Sequence, residues 1–273
     1  MRRARPGAPG EQRRVLSLRL RRRCSIAMHQ FGVTRSVRRQ DHAVFTPDTF
    51  VRAALPGMRK AVAIVHAAPA IGAAFTQYTA EVEAGGCLGE LPTSCERFIY
   101  VIEGKVTADF SGQSHALSKN DYAYTPQQLQ HSITAVNESK LAVIEKRYIS
   151  LDGVRPPAAF ASRTSAVPSE PLEGDESIAV RHLLPDNMAF DCAVNLMTYQ
   201  PGASLSMVEI HVMEHGLLML EGRGIYRLGG DWYPVAAGDF IWMGPYCPQW
   251  FGALGKGEAT YLIYKDWNRH PLT

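Results

Sequence analysis

Two stretches of the chain, YVIEGKVTADFSGQSHALSKNDYAYTPQQLQH (100–131) and LMLEGRGIYRLGGDWYPVAAGDFIWMGPYCPQ (218–249), carry the same landmarks at the same separations. A shift of 118 residues lays Glu103-Gly104 on Glu221-Gly222, Asn120-Asp121 on Gly238-Asp239 and His131 on Gln249. Coincidence at three separate landmarks marks an internal duplication, so the fold must be one that a single unit of about a hundred residues can build twice.

The unit is β-rich. Segments such as AVAIVHAA (61–68), AAFTQYTAEV (73–82), RFIYVIEG (97–104), KVTADF (105–110) and LAVIEKRYI (141–149) are short, rich in β-branched and aromatic residues, and separated by Gly, Pro, Asn or Asp. Short strands with turn signals at such spacing predict sandwiches or barrels, and no long segment has a 3.6-residue apolar period. Between the copies lies 153–177, GVRPPAAFASRTSAVPSEPLEGDES, whose prolines and small residues predict an irregular linker. The expected division is a first barrel over 40–152, a linker over 153–177 and a second barrel over 178–273.

Charge is unevenly placed. The formal net charge is +3, yet residues 1–27 hold nine Arg against one Glu, leaving the rest at about −5. The basic leader, taken as 1–39, reads as a disordered tail, as sequence ahead of a start at Met28, or as an Arg-rich transit peptide. It is set aside from the fold argument, and alone it does not make a nucleic-acid-binding protein. No run approaches the roughly 20 apolar residues of a membrane span. The five cysteines have no CxxC spacing, which predicts reduced thiols and a cytoplasmic protein.

The candidate chemistry centres on VEIHVMEHG (208–216). Glu209 and His211, two residues apart, leave the same face of a β-strand, and His215 comes from the next strand or the intervening turn. Taken alone, the stretch is either a metal site or a polar strand with a turn. Glu214, beside His215, points the opposite way if the segment is extended. In TYLIYKD (260–266), alternation places Tyr261, Ile263 and Lys265 on one face and Leu262 and Tyr264 on the other.

GASLSMVEIHVMEHGLLMLEGRG followed by GDFIWMGPYCPQ resembles the two motifs of the cupin superfamily in altered form. The resemblance implies an all-β fold of two tandem cupin barrels, each a double-stranded β-helix or jelly roll. Ligand positions of that pattern fall on Glu209, His211, His215 and, eleven residues after Gly238, Gln249. The ExHxxxH arrangement with Gln as fourth ligand, in a chain ending YLIYKDWNR, resembles the (S)-ureidoglycine aminohydrolase family of allantoin and purine catabolism, over roughly 40–273. Membership would imply a Mn²⁺-dependent hydrolase releasing ammonia from (S)-ureidoglycine to give (S)-ureidoglycolate, with the metal only in the second barrel. It would also imply a substrate pocket containing Glu209, Gln249, Tyr226, Tyr261 and Lys265, and Lys265 is the candidate general base. Two imidazoles, a carboxylate and an amide oxygen with two open positions suit octahedral Mn²⁺ or Fe²⁺ better than a closed structural zinc site.

In the first copy the matching positions hold Leu91, Thr93 and Arg97, with only His131 opposite Gln249. That barrel is expected to be structural, with an Arg97-lined anion pocket as the alternative. Rival readings of the whole chain are an Fe²⁺ dioxygenase or isomerase of the same superfamily, and a non-catalytic small-molecule-binding cupin. The expected partners are a small-molecule substrate and further copies of the same chain as a homo-oligomer, with neither nucleic acid nor membrane.

Overall fold

The computed structural model describes residues 34–269; of the basic leader expected over 1–39, residues 1–33 fall outside them, while Val37–Arg38 near its end form a strand. The first copy contains β1 (Val37–Arg38), β2 (His42–Phe45), β3 (Arg59–Ala67), β4 (Phe75–Cys87), β5 (Cys95–Glu103), β6 (Lys105–Phe110), β7 (Gln113–Ser118), β8 (Asp121–Thr125), β9 (His131–Ala135) and β10 (Ser139–Arg147). Then come β11 (Phe160–Arg163), β12 (Glu170–Leu172), β13 (Asp175–His182), β14 (Cys192–Tyr199), β15 (His215–Glu221), β16 (Arg223–Leu228), β17 (Asp231–Ala236), β18 (Phe240–Met243), β19 (Gln249–Ala253) and β20 (Ala259–Asp266). The helical elements among the described residues are short 3-10 turns at Pro47–Thr49, Pro69–Ile71 and Thr164–Ala166.

The duplication is physical. β6 and β16, β7 and β17, and β9 and β19 each begin 118 residues apart. The landmark glycines show why the repeat survives in the sequence. Gly104 and Gly222 have φ of 85° and 73°, and a Cβ there would fall 2.3 and 2.2 Å from the carbonyls of Glu138 and Glu258, so only glycine fits either turn. The paired Asn120-Asp121 and Gly238-Asp239 turns also match. Asn120 and Gly238 both take positive φ, and the carboxylates of Asp121 and Asp239 accept from the backbone N–H of Ser118 and Ala236 at 2.8 and 2.9 Å.

The first barrel is one nine-stranded sheet, β11-β8-β5-β10-β4-β9-β6-β7 with β3 beside β4, whereas the second divides into a sheet covered on both sides and a smaller one facing solvent. The large sheet of the second barrel runs β1-β2-β18-β15-β20-β14-β13-β12, opposite the small sheet β17-β16-β19. Strands β14, β15, β18 and β20 are buried along nearly their whole length, whereas β16 and β17 alternate. A strand buried on both faces becomes a continuous apolar run and loses its period of two. In β20, Tyr261 and Ile263 join the barrel interior with Met219, Tyr226 and Phe251. Leu262 and Tyr264 join a separate core that also contains Phe75, Phe98, Tyr124 and Ile144 of the first barrel. The two barrels thus pack sheet against sheet.

Two expected boundaries differ from the strand pairing. The 153–177 segment is not irregular throughout: residues 153–159 lack regular structure, but β11 pairs with β8 of the first barrel and β12 with β13 of the second. The start of the first unit also belongs elsewhere, because β2 pairs with β18 of the second barrel, Val44 opposite Ile241. β8 and β18 are equivalent strands, so each copy uses an outlying strand to cover the same edge. An uncovered edge exposes unpaired N–H and C=O groups, and a short flanking strand removes them whatever its proline-rich surroundings suggest.

Candidate metal centre and substrate pocket

The second barrel encloses a pocket of about 460 Å³ lined by the seven residues that the resemblance assigned to the site: Glu209, His211, His215, Gln249, Tyr226, Tyr261 and Lys265. Their routes into it differ. His215 opens β15, Gln249 opens β19, and Lys265 lies on β20 directly opposite His215. The 208–214 segment is not the regular strand its spacing predicts. Glu209 makes one isolated antiparallel bridge with Gln249, each backbone N–H donating to the other's carbonyl at 2.9 Å, and Tyr246 donates to the His211 carbonyl at 2.8 Å. Two anchored points hold Glu209 and His211 toward the pocket without a ladder between them.

The side chains gather around His211. His211 Nε2 lies 3.2 Å from His215 Nε2, 2.7 Å from Gln249 Nε2 and 3.9 Å from Glu209 Oε2. His215 and Gln249 are each only 3% exposed, and Gln249 Oε1 is buried without a hydrogen-bond partner. Burial, the neighbouring His211 and Lys265 push the His215 pKa down to about 3, and burial lowers that of His211. The imidazoles are therefore held neutral, which is the form that donates to a metal. Glu209 is shifted upward, by burial first and then by Glu173. Two facing imidazole lone pairs, a carboxylate and an orphaned amide oxygen are the donors a hard or borderline divalent cation requires, so the residues fit one.

The EHG triplet explains how His215 is aimed. Glu214, the neighbour expected to point away, does so: it accepts from Trp242 Nε1 at 2.6 Å and from the Ala74 N–H of the first barrel at 2.9 Å. Gly216 follows, and a Cβ there would fall 2.3 Å from Gln77 Oε1 and 2.6 Å from two ring carbons of Phe75. The first barrel is thus seated directly against the backbone of His215.

Lys265 is partly buried and its Nζ stands 4.2 Å above the Trp267 ring. Burial lowers its pKa, with Asp186 and Glu209 opposing. Tyr261 is fully enclosed and shares a 2.8 Å hydrogen bond with Tyr199. Burial raises the pKa of both Tyr226 and Tyr261, which keeps their hydroxyls protonated. Sequence reasoning missed His182, Asn195 and Trp267, which also line the pocket. The available signal was Asn195 itself, a polar residue within the otherwise apolar run AVNLMTY.

The first barrel has a different centre. Arg97, at the position of His215, donates to Glu145 Oε1 at 2.8 Å, to the Gly89 carbonyl at 2.8 Å and, through Nη1, approaches His131 Nε2 at 3.0 Å. Its guanidinium is 4% exposed and spent on protein partners, so the alternative of an Arg97-lined anion pocket is not supported. A second buried polar cluster sits between the barrels, where Lys146 pairs with Asp191 and lies 3.9 Å from Glu96. There too a side-chain cation already fills the centre.

Comparison with known proteins agrees with this architecture. A cupin domain model matches 195–264 and an EutQ-like cupin domain model matches 71–148. The chain is 43% identical to an Arabidopsis thaliana protein named (S)-ureidoglycine aminohydrolase, over 88% of this chain and 80% of that one. It is 34% identical to the Escherichia coli protein of the same name, covering 85% of this chain and 91% of that one. A crystal structure of the E. coli protein Ylba superposes with a TM-score of 0.79 at 29% identity, covering 88% and 97% of the two chains. With two cupin barrels, one furnished with converging donors and one closed by arginine, the chain belongs to the (S)-ureidoglycine aminohydrolase family of enzymes.

Proposed function

We propose that this hydrolase releases ammonia from (S)-ureidoglycine, giving (S)-ureidoglycolate, and does so in the second barrel with a divalent cation, Mn²⁺, held by Glu209, His211, His215 and Gln249. The observation that carries the proposal is the convergence of those four side chains with Lys265, Tyr226 and Tyr261 on one pocket. The relatives' name supplies the substrate; two nitrogen and two oxygen donors with open positions suit Mn²⁺ or Fe²⁺, and the family resemblance selects Mn²⁺.

When bound, the metal would supply Lewis acidity at the substrate's polar groups. The chain's residues do the rest. Burial works against the ammonium form of Lys265, and its amine is placed to take a proton from the attacking water and pass it to the substrate's amino group, which leaves as ammonia. The protonated hydroxyls of Tyr226, from β16 of the facing sheet, and of Tyr261, four residues before Lys265 on β20, orient the substrate. Holding a small molecule in one attack geometry supplies several kcal/mol of the barrier, of order 7 or more in favourable cases.

The test is ammonia release from freshly generated ureidoglycine by the Mn²⁺-loaded protein. Release no faster than the uncatalysed rate, with O₂ uptake on another substrate, would replace this reading with a dioxygenase. Lys265→Met should abolish turnover and leave metal content unchanged; full activity in that variant removes the base role.

A further inference from the structure

We infer that Asn195 is a substrate-binding residue that reads the ureido carbonyl oxygen, with His182 setting the orientation of its amide; this rests on the proposed substrate. Asn195 lies mid-strand in β14, is 4% exposed and lines the pocket beside Met197, Val180, Leu205 and Ile263. Burying an amide in an apolar wall costs on the order of 1–3 kcal/mol unless its hydrogen bonds are made. Among the described residues its one side-chain partner is His182, whose Nδ1 lies 3.2 Å from Asn195 Oδ1. With Nδ1 donating, the amide oxygen is taken and the two N–H bonds of Nδ2 are turned to the pocket with no protein acceptor.

Register places this group beside the reaction centre. His182, Asn195 and Ile263 form one row across β13, β14 and β20. Ala193, Lys265 and His215 form the next interior row. Asn195 is thus the diagonal neighbour of Lys265, with side chains about 7 Å apart. A small substrate held at the donor cluster and touching Lys265 spans that gap. The substrate carries two kinds of oxygen acceptor, the carboxylate and the ureido carbonyl. Its carboxylate would be matched by the divalent cation proposed for the donor cluster. A neutral N–H pair matches the neutral carbonyl, and a site that leaves a donor unpaired rejects an analogue lacking the acceptor.

The experiment measures binding of two unreactive ligands to the metal-loaded protein by calorimetry. N-carbamoylglycine has the ureido and carboxylate groups, and glycolate has the carboxylate without the ureido group. Asn195→Ala should weaken N-carbamoylglycine about 10- to 100-fold, the loss expected for a buried donor, leave glycolate unchanged, and raise KM more than it lowers kcat. His182→Ala, at the exposed mouth of the pocket, should weaken N-carbamoylglycine by a smaller factor and again spare glycolate. Equal weakening of both ligands, or of neither, overturns the proposal. Selective loss of N-carbamoylglycine binding in a protein whose wild type releases no ammonia supports the recognition role while overturning the hydrolase reading.

Discussion

Gly216→Ala tests whether the first barrel, which has no matching donor set of its own, braces the candidate metal centre of the second. The added methyl would sit 2.3 Å from Gln77 Oε1 and 2.6 Å from two ring carbons of Phe75, whereas carbon contacts are comfortable at about 3.5–4.0 Å. Relief requires a shift of roughly 1 Å at the seam. Neither neighbour yields freely: Gln77 is fully buried, and the Phe75 ring lies 4.1 Å from that of Tyr264. Overpacking of this kind costs about 1–3 kcal/mol, and β15 carries the displacement to His215, one residue away. A 1 Å error in a positioned group lowers turnover by as much as about 100-fold. The assay combines urea unfolding, Mn²⁺ affinity and ammonia release. Gly216→Ala should lose stability and Mn²⁺ affinity together, and the further change Gln77→Ala should recover part of both by removing the nearest atom. Wild-type Mn²⁺ affinity in Gly216→Ala refutes the brace.

Further expectations concern the donor set and the two buried cations. His211→Ala should abolish stoichiometric Mn²⁺ binding while the thermal unfolding temperature of the chelator-treated protein stays near that of treated wild type, checked by elemental analysis and calorimetry. Arg97→Met strands Glu145 and should cost about 3–5 kcal/mol in unfolding free energy with Mn²⁺ content unchanged. Glu96 is raised to about 7 by burial, with Asp191 adding to the shift and Lys146 opposing it. A folded pKa above the unfolded value means the native state binds the extra proton, so this contribution is complete below about pH 4.5 and disappears as pH rises through about 7. Urea titrations across that interval should show a decline that Glu96→Gln flattens; equal slopes in the two proteins refute the assignment.

Much of this was legible in the sequence because it depends on local rules. The EG and N/G-D turns need positive φ or a capping carboxylate, so they recur at the 118-residue offset and announce two like barrels. Alternation in TYLIYKD sorted Lys265 and Tyr261 from Leu262 and Tyr264, since a strand's faces are set by its pleat. The 153–177 segment hid its strands because its prolines describe local flexibility, while the β8 edge that β11 covers lies about 40 residues earlier in the chain. Likewise Asn195 and His182 are 13 residues apart in a run without a motif, and only the β13–β14 register makes them partners.

The sequence by itself determined the duplicated β architecture, the loss of donors in the first copy and the residues of the candidate centre, because these follow from turn chemistry, strand period and residue type. Tertiary structure decided the rest: that Glu214 and Gly216 seat the first barrel against His215, that Arg97 fills the first centre with its own cation, and that each barrel's open edge is closed by an outlying strand. Those depend on which surfaces meet when two sheets, each apolar on both faces, bury their outer faces in one another, and no local pattern encodes that pairing.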